Sequence, residues 1–254
     1  MARAAVSGRL TGRTPWRVAR LVEFREETPS ARTLVLHVNG WPGHLPGQHV
    51  DVRLTAHDGY RAQRSYSIAS APDDARVELT VQRVPDGEVS EYLTSGYPLG
   101  APVEVRGPVG GWFVWRPGDP APVLLVGGGS GVVPLMAMIR TRAHAGGRNR
   151  FRLVYSARTP ADVYYAGELR QRSRDHPWLD VSLLYTRVAP DGFPRPPGRL
   201  VPDDLAGTGW EPGDAPLCLV CGPTSFVEAA ADVMVGLGHQ PDHIRTERFG
   251  PTGG

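Results

Sequence analysis

With 254 residues and 41% hydrophobic content, the chain can bury the cores of two modest domains, and no apolar run is long enough to span a bilayer. The formal net charge is only +2, and arginine carries all 28 of the Lys+Arg charges, so fixed, two-pronged recognition of phosphate or carboxylate is expected over diffuse attraction to nucleic acid or a membrane. Arginine richness equally fits a biased genome, so each arginine needs its own argument.

Residues 1–15 lack an apolar signal core and read as a disordered basic tail. Residues 16–117 carry short alternating runs, predicted as strands over Arg17–Phe24, Thr33–Val38, Val50–Leu54, Tyr66–Ala69, Val77–Arg83 and Pro102–Arg106. Turn clusters such as NGWPG and VPDG separate them, and only Ser90–Ser95 has helical character, which predicts a small antiparallel barrel. The Pro-rich stretch Arg116–Pro122 reads as a linker, and residues 118–249 as a second domain of α/β texture. Its predicted strands are Val123–Val126, Phe151–Ser156, Leu179–Tyr185, Leu217–Cys221 and Ile244–Thr246. Helices are predicted from Pro134 onward, over Ala161–Arg174 and over Thr224–Leu237 with Thr224 or Ser225 as cap, giving a parallel sheet. The last residues, PTGG, read as a cut or frayed linker.

The densest signal is VLLVGGGSGVVPLMAM, Val123–Met138, which reads strand, glycine turn, helix and leaves free backbone N–H groups where a phosphate can approach. The strict dinucleotide fingerprint fails, because Val132 and Pro134 stand where glycine is required. A P-loop fails for want of a following lysine, and a nucleophile elbow on Ser130 fails at Val132, which leaves a serine hydrolase with His239 or His243 as base a remote reading. Cys218 and Cys221 form C-x-x-C inside LCLVCGP. Three apart on a strand, they point to opposite faces and make neither a redox pair nor half a metal site, and a cytoplasmic setting is expected. The histidines, His37 and His49 among them, are too scattered for a metal site, and no metal is expected.

In the barrel half, Arg64-Ser65-Tyr66-Ser67 sets an arginine and an aromatic on one strand face with a hydroxyl beside them, suited to a phosphate next to a flat ring. Downstream, Gly87-Glu88-Val89-Ser90 opens a helical piece whose N–H groups and Ser90 hydroxyl suit a pyrophosphate. Each alone reads as an ordinary strand or cap.

In this order, and followed by GGGSGVVP and CGP, these motifs resemble the ferredoxin–NADP reductase-like flavoprotein family over nearly all of Trp16–Phe249. The resemblance implies a flavin-binding barrel followed by a nicotinamide-nucleotide domain. It assigns Arg64 to the flavin pyrophosphate, Tyr66 to the ring and ribityl chain, and Ser67 to the neighbourhood of flavin N5, with Ser65 inside the same motif. Gly87, Glu88, Val89 and Ser90 match the pyrophosphate-holding G-x-x-S, which favours FAD over FMN. Gly107-Pro108-Val109-Gly110 resembles the turn that closes the barrel. Gly129, Ser130 and Gly131 match G-T-G-I-x-P with serine for threonine. Cys221, Gly222 and Pro223 match the C-G-P that places a thiol beside the nicotinamide, and Glu247 and Phe249 match an E-x-F at the reaction zone. Ser67, Cys221 and Glu247 are the catalytic candidates.

Where an NAD-selective domain places an acid for the ribose, this chain has Ser156-Ala157-Arg158. That cation suits a 2′-phosphate, and Arg187 and Arg199 resemble arginines of NADPH-dependent relatives, so NADPH is expected and NADH is the alternative. The resemblance further implies hydride transfer to FAD and single-electron delivery to a separate acceptor, a ferredoxin first, because the cysteines for a fused plant-type iron–sulfur domain are missing. Rival readings are an NADH-dependent reductase component of an oxygenase and a non-catalytic flavin-binding subunit.

Overall fold

A computed structural model describes residues 14–56, 58–72, 76–207 and 209–249; most of the expected N-terminal tail and the PTGG end lie outside them. Alternation of apolar and polar residues builds six antiparallel strands in the first half: β1 (Trp16–Thr28), β2 (Ala31–Val38), β3 (His49–Thr55), β4 (Arg61–Ser67), β5 (Arg76–Gln82) and β6 (Pro102–Val109). They pair in the order β4-β3-β6-β1-β2-β5, and a bridge from Ile68 to Leu79 joins the two ends into a barrel. Leu21, Leu34, Leu36, Val50, Val52 and Leu79 fill it. Val89 and Leu93, from the short helix α1 (Glu88–Glu91) and the π-turn that follows, pack against the same core.

One strand differs from expectation in position. β4 begins at Arg61 and ends at Ser67, whereas the sequence placed a strand over Tyr66–Ala69. Arg61, Gln63, Arg64 and Ser65 are all exposed, so the ordinary apolar signal of a strand is missing from its first half.

In the second half, β7 (Val123–Gly128), α2 (Val132–Ala145), β8 (Phe151–Ala157), α3 (Ala166–Asp175), β9 (Leu179–Tyr185), α4 (Pro202–Leu205), β10 (Leu217–Pro223), α5 (Thr224–Gly236) and β11 (Ile244–Phe249) form a parallel sheet of order β11-β10-β7-β8-β9 with its helices. The central run Val123–Val126 is fully buried because both faces are covered. Leu124, Val126, Cys218 and Val220 share one core cluster, while Val123, Leu125, Leu219 and Cys221 share the other, so the two thiols do lie on opposite faces. α3 is shorter than the sequence suggested, because a 3-10 turn at Pro160–Asp162 and a left-handed Tyr165 (φ 55°) break the chain ahead of it. α5 is preceded by Pro223 as its cap, and neither Thr224 nor Ser225 takes that position. None of the helices among the described residues is long and apolar enough to cross a membrane.

The segment between the sheets is not a bare tether. Phe113 and Trp115 are buried in the second sheet's core cluster, and Trp115 meets Phe151 edge-on at 5.0 Å between ring centroids. Truncating a fully buried tryptophan removes its transfer energy and leaves a cavity. Trp115→Ala is expected to cost about 3–5 kcal/mol in urea unfolding, with a lower midpoint at unchanged slope.

Candidate active site

β4 presents Arg64 and Tyr66 on one face, opposite the buried Val52 and Val50 of β3. Tyr66 is half-buried against the barrel core, whereas Arg64 is exposed and among the described residues its guanidinium bonds only the neighbouring Gln63 carbonyl (2.7 Å). Its charge bears on both Tyr66 and Tyr60, and the Tyr60 hydroxyl donates to Glu88 of α1 (3.1 Å). A cleft of about 590 Å³ opens there, at the end of β4 away from Ser67, lined by Leu54, Tyr60, Ala62, Glu88 and Tyr92 among others. A ligand running along β4, about 20 Å long, would pass from Ser67 over Tyr66 and Arg64 into that cleft.

Two neighbours of this strip do other work than the sequence suggested. The Ser90 hydroxyl accepts from the Val84 N–H (3.1 Å) and donates to the Gly87 carbonyl (3.1 Å), so it builds the turn from inside. Gly87 is required there, because a Cβ would lie 2.6 Å from that Oγ. Val89 is buried in the barrel core, which leaves only its backbone for a ligand. Ser65 points away from Tyr66 and donates to Asp51 (2.6 Å), whose other oxygen takes Arg106.

In the second sheet the glycine turn and the C-G-P strand end touch directly. A single 3-10 turn, Gly129–Gly131, links β7 to α2, with Pro134 in the first helical turn as expected. A Cβ at Gly131 would stand 2.1 Å from the Cys221 carbonyl oxygen and 2.7 Å from the Gly222 nitrogen. The missing side chain is what lets the helix start meet β10. Gly222 is buried and Pro223 exposed at the carboxyl end of that strand, where open α/β sheets take their ligands.

Glu247 and Phe249 lie on β11, beside Cys221 and Pro223 of β10 respectively. The Cys221 thiol is buried and donates to Glu247 Oε2 (3.8 Å), and His49 Nδ1 approaches the other oxygen at 4.0 Å. His49 belongs to β3 and sits directly opposite Ser67 of β4, so Ser67, His49, Glu247 and Cys221 form a line from one domain to the other. Burial pushes the Glu247 carboxyl up to about 7, the thiol's hydrogen bond only partly opposing it. Burial also pushes the Cys221 thiol well up, and the adjacent carboxylate adds to that. For His49, burial lowers the pKa against the opposing pull of Asp51. Sequence reasoning set His49 aside with the other histidines, and only its position opposite Ser67 in the β3–β4 pairing could have signalled it.

The three arginines proposed for a phosphate converge. The Arg158 carbonyl accepts from the Arg187 N–H (3.0 Å), and the Tyr185 carbonyl from the Gly198 N–H (2.9 Å), which brings Arg158, Arg187 and the loop carrying Arg199 to the carboxyl ends of β8 and β9. All three are exposed, and among the described residues none of the three takes part in an ion pair. The residues present therefore fit both groups: an aromatic and arginine strip with an adjoining cleft for a flavin dinucleotide, and a side-chain-free turn with uncommitted cations for a phosphorylated nucleotide.

Comparisons with known proteins agree with this layout. Residues 19–114 match the oxidoreductase FAD-binding domain family and residues 125–232 the oxidoreductase NAD-binding domain family. The chain is 34% identical over 240 residues to ferredoxin–NADP reductase B of Sorangium cellulosum (strain So ce56), covering 91% of this chain and 96% of that one. It is 32% identical over 214 residues to the ferredoxin–NAD(P)(+) reductase component of the naphthalene 1,2-dioxygenase/salicylate 5-hydroxylase systems of a Ralstonia species, covering 82% of this chain. It spans 61% of the length of that relative and likewise of the corresponding component from Pseudomonas putida. Among solved structures, the cytochrome P450 reductase of Amycolatopsis superposes with a TM-score of 0.79 at 28% identity, over 94% of this chain and 71% of that one. The FAD/NAD-binding domain of nitric oxide dioxygenase from Vibrio cholerae gives a TM-score of 0.81 at 22% identity, over 92% of this chain and 99% of that one, a likeness of fold.

Two outcomes follow from this geometry. Gly131→Ala forces apart the helix start and the Cys221–Gly222 peptide, and is expected to cost about 1–3 kcal/mol of stability and to weaken NADP⁺ binding in calorimetric titration. For Glu247 the folded-state pKa is raised, so its contribution to stability falls as pH rises from about 4.5 to about 7. The melting temperature of Glu247→Gln should therefore gain on wild type between pH 5 and pH 8, and a constant difference would contradict the burial argument.

Proposed function

The chain belongs to the ferredoxin–NADP reductase-like flavoprotein family, and from that premise we propose that it takes hydride from NADPH onto FAD and passes electrons singly to a separate acceptor, a ferredoxin first. The observation that carries this reading is the seam itself, where Ser67 of the flavin strip and Cys221 of the nucleotide strand end are joined through His49 and Glu247. FAD bound there supplies the conversion of a two-electron donor into a one-electron source.

The protein's own residues supply placement, exclusion of water and proton handling. Arg64 and Tyr66 hold the flavin dinucleotide along β4, with Ser67 at its reacting edge and the Tyr60–Tyr92 cleft receiving the far end. Gly129, Ser130 and Gly131 let the nicotinamide nucleotide approach the start of α2, while Cys221, Gly222 and Pro223 form the strand end beside its ring. Phe249 covers the seam from β11. Glu247, near neutrality, can hold or release a proton at either carboxyl oxygen. Arg158, which stands where an NAD-selective domain places an acid, takes the 2′-phosphate together with Arg187 and Arg199; none of the three forms an ion pair among the described residues. A cytoplasmic setting belongs to the same reading and suits two cysteines kept as thiols.

An Arg-rich surface favours an acidic acceptor such as a ferredoxin. A relative that is the reductase component of a dioxygenase system favours a second reading, in which this chain is a reductase component of an oxygenase system, with NADH the alternative donor.

The deciding experiment is the anaerobic absorbance spectrum of the FAD-loaded protein before and after each nucleotide. Bleaching by NADPH is expected, and a yellow protein that neither nucleotide bleaches would contradict the reading. Arg158→Ala is expected to lower kcat/KM for NADPH about 10-fold or more while sparing NADH, since a charge-assisted contact to the phosphate is lost; an unchanged preference would remove the case for NADPH.

A further inference from the structure

We propose that Arg140 is a positioning residue that fixes the spacing between the flavin strip and the nucleotide turn by pinning α2 to the barrel. The proposal rests on the functional reading above. α2 starts at Val132, immediately after Gly129–Gly131, and Arg140 lies about 12 Å further along the same helix. Its side chain is 10% exposed and leaves the second domain. Nε and Nη2 form a fork on both oxygens of Glu168 in α3 (3.0 and 2.6 Å), which fixes the plane of the guanidinium. Nη1 then reaches across the seam to the Ala69 carbonyl (2.9 Å) and to Glu78 of β5 (2.9 Å).

The choice of Ala69 is what gives this contact a function. Ala69 stands two residues beyond Ser67, on the chain that leaves β4 at the seam, and its N–H bonds the Glu78 backbone carbonyl (2.8 Å). One guanidinium therefore holds the end of the flavin-binding strand and its neighbour in β5. The helix that carries it begins at the nucleotide turn. Arg25 donates to the same Glu78 oxygen that takes Nη1 (2.8 Å) and Arg172 to the same Glu168 oxygen that takes Nε (2.7 Å), so each carboxylate is held by two arginines. Tyr165 lies under the guanidinium at 5.1 Å from its ring centroid, and its N–H crosses to Glu27 of β1 (3.1 Å), a second tie in the same place.

A buried ion pair is a weak source of net stability, because desolvation offsets most of its attraction. What a forked arginine supplies is a fixed direction and distance. α2 behaves as a rod whose start carries the glycine turn and whose middle is bolted beside Ser67. A small shift of such a rod moves one reacting ring against the other, and a misplacement of about 1 Å costs on the order of 100-fold in rate.

The test uses the FAD-loaded protein and three variants: Arg140→Met, Arg140→Lys and Glu78→Gln. Anaerobic stopped-flow bleaching by NADPH separates nucleotide affinity from the limiting rate. A nitroxide pair at Val22→Cys and Val235→Cys, both exposed and one on each domain, reports the distance between domains. Arg140→Met is expected to lower the limiting rate about 10- to 100-fold with nucleotide affinity changed by about twofold at most, and to broaden the nitroxide distances. Arg140→Lys should recover part of the rate, and Glu78→Gln should shift rate and distances in the same direction. A lowered melting temperature with wild-type limiting rate and narrow distances would overturn the proposal, since that is what a merely structural ion pair gives. Should Arg140→Met lose its flavin, Glu78→Gln decides alone, and a wild-type rate in that variant overturns it. Should wild type bleach with neither nucleotide, the functional reading fails instead, and the nitroxide distances in Arg140→Met judge the bolt by themselves.

Discussion

Transfer of hydride between two rings demands contact at about 3–3.5 Å, and here the proposed places of the two rings lie on different sheets. That tolerance is the constraint on which the rest of the structure depends. The barrel offers a strip along β4 that ends at Ser67, and the parallel sheet offers a turn between β7 and α2 that ends against Cys221. Neither half has a reacting centre alone. The seam brings them together through the approach of His49 to the Glu247 carboxyl and through Arg140, which reaches from α2 to the barrel, while the close approach at Gly131 seats the turn on Cys221 within the second sheet.

The charges of the chain sort by the same logic. Arg53, Arg106, Arg140 and Arg195 are matched to carboxylates at 2.6–2.9 Å, and their task is to hold strands, helices and loops together. Arg64, Arg158, Arg187 and Arg199, at the two proposed cofactor half-sites, are exposed and form no ion pair among the described residues. At the seam the opposite condition holds: burial drives Glu247 and Cys221 toward their protonated forms and His49 toward its neutral one. Cations without partners mark where anionic ligands are expected, and groups close to neutrality mark where a hydride would otherwise meet fixed charge.

Much of this was legible in the sequence, for local reasons. A fully buried parallel strand followed by a glycine turn leaves a continuous apolar run and a sharp break, and β7 and α2 sit where that pattern puts them. Period-two alternation disclosed the barrel, and the spacing of Cys218 and Cys221 disclosed their opposite faces. The failures are equally physical. β4 was misplaced because a strand that keeps its polar residues exposed lacks the alternation that marks the others. The inward turn of the Ser90 hydroxyl depends on the Val84 and Gly87 backbone, which no residue type announces. Arg140 could not be singled out among so many arginines, because its partners lie 71, 62 and 28 positions away and only the folded seam assembles them.

The central claim is that a nicotinamide ring and a flavin ring meet face to face across this seam. It is tested most directly by bleaching the FAD-loaded protein, anaerobically and in single turnover, with NADPH carrying deuterium at one or the other position of C4. A ring held in one orientation over the flavin predicts a primary isotope effect from one label and none beyond a small secondary effect from the other. Equal rates with both labels and with unlabelled NADPH, at saturating nucleotide and with nucleotide binding shown to be fast, would contradict it.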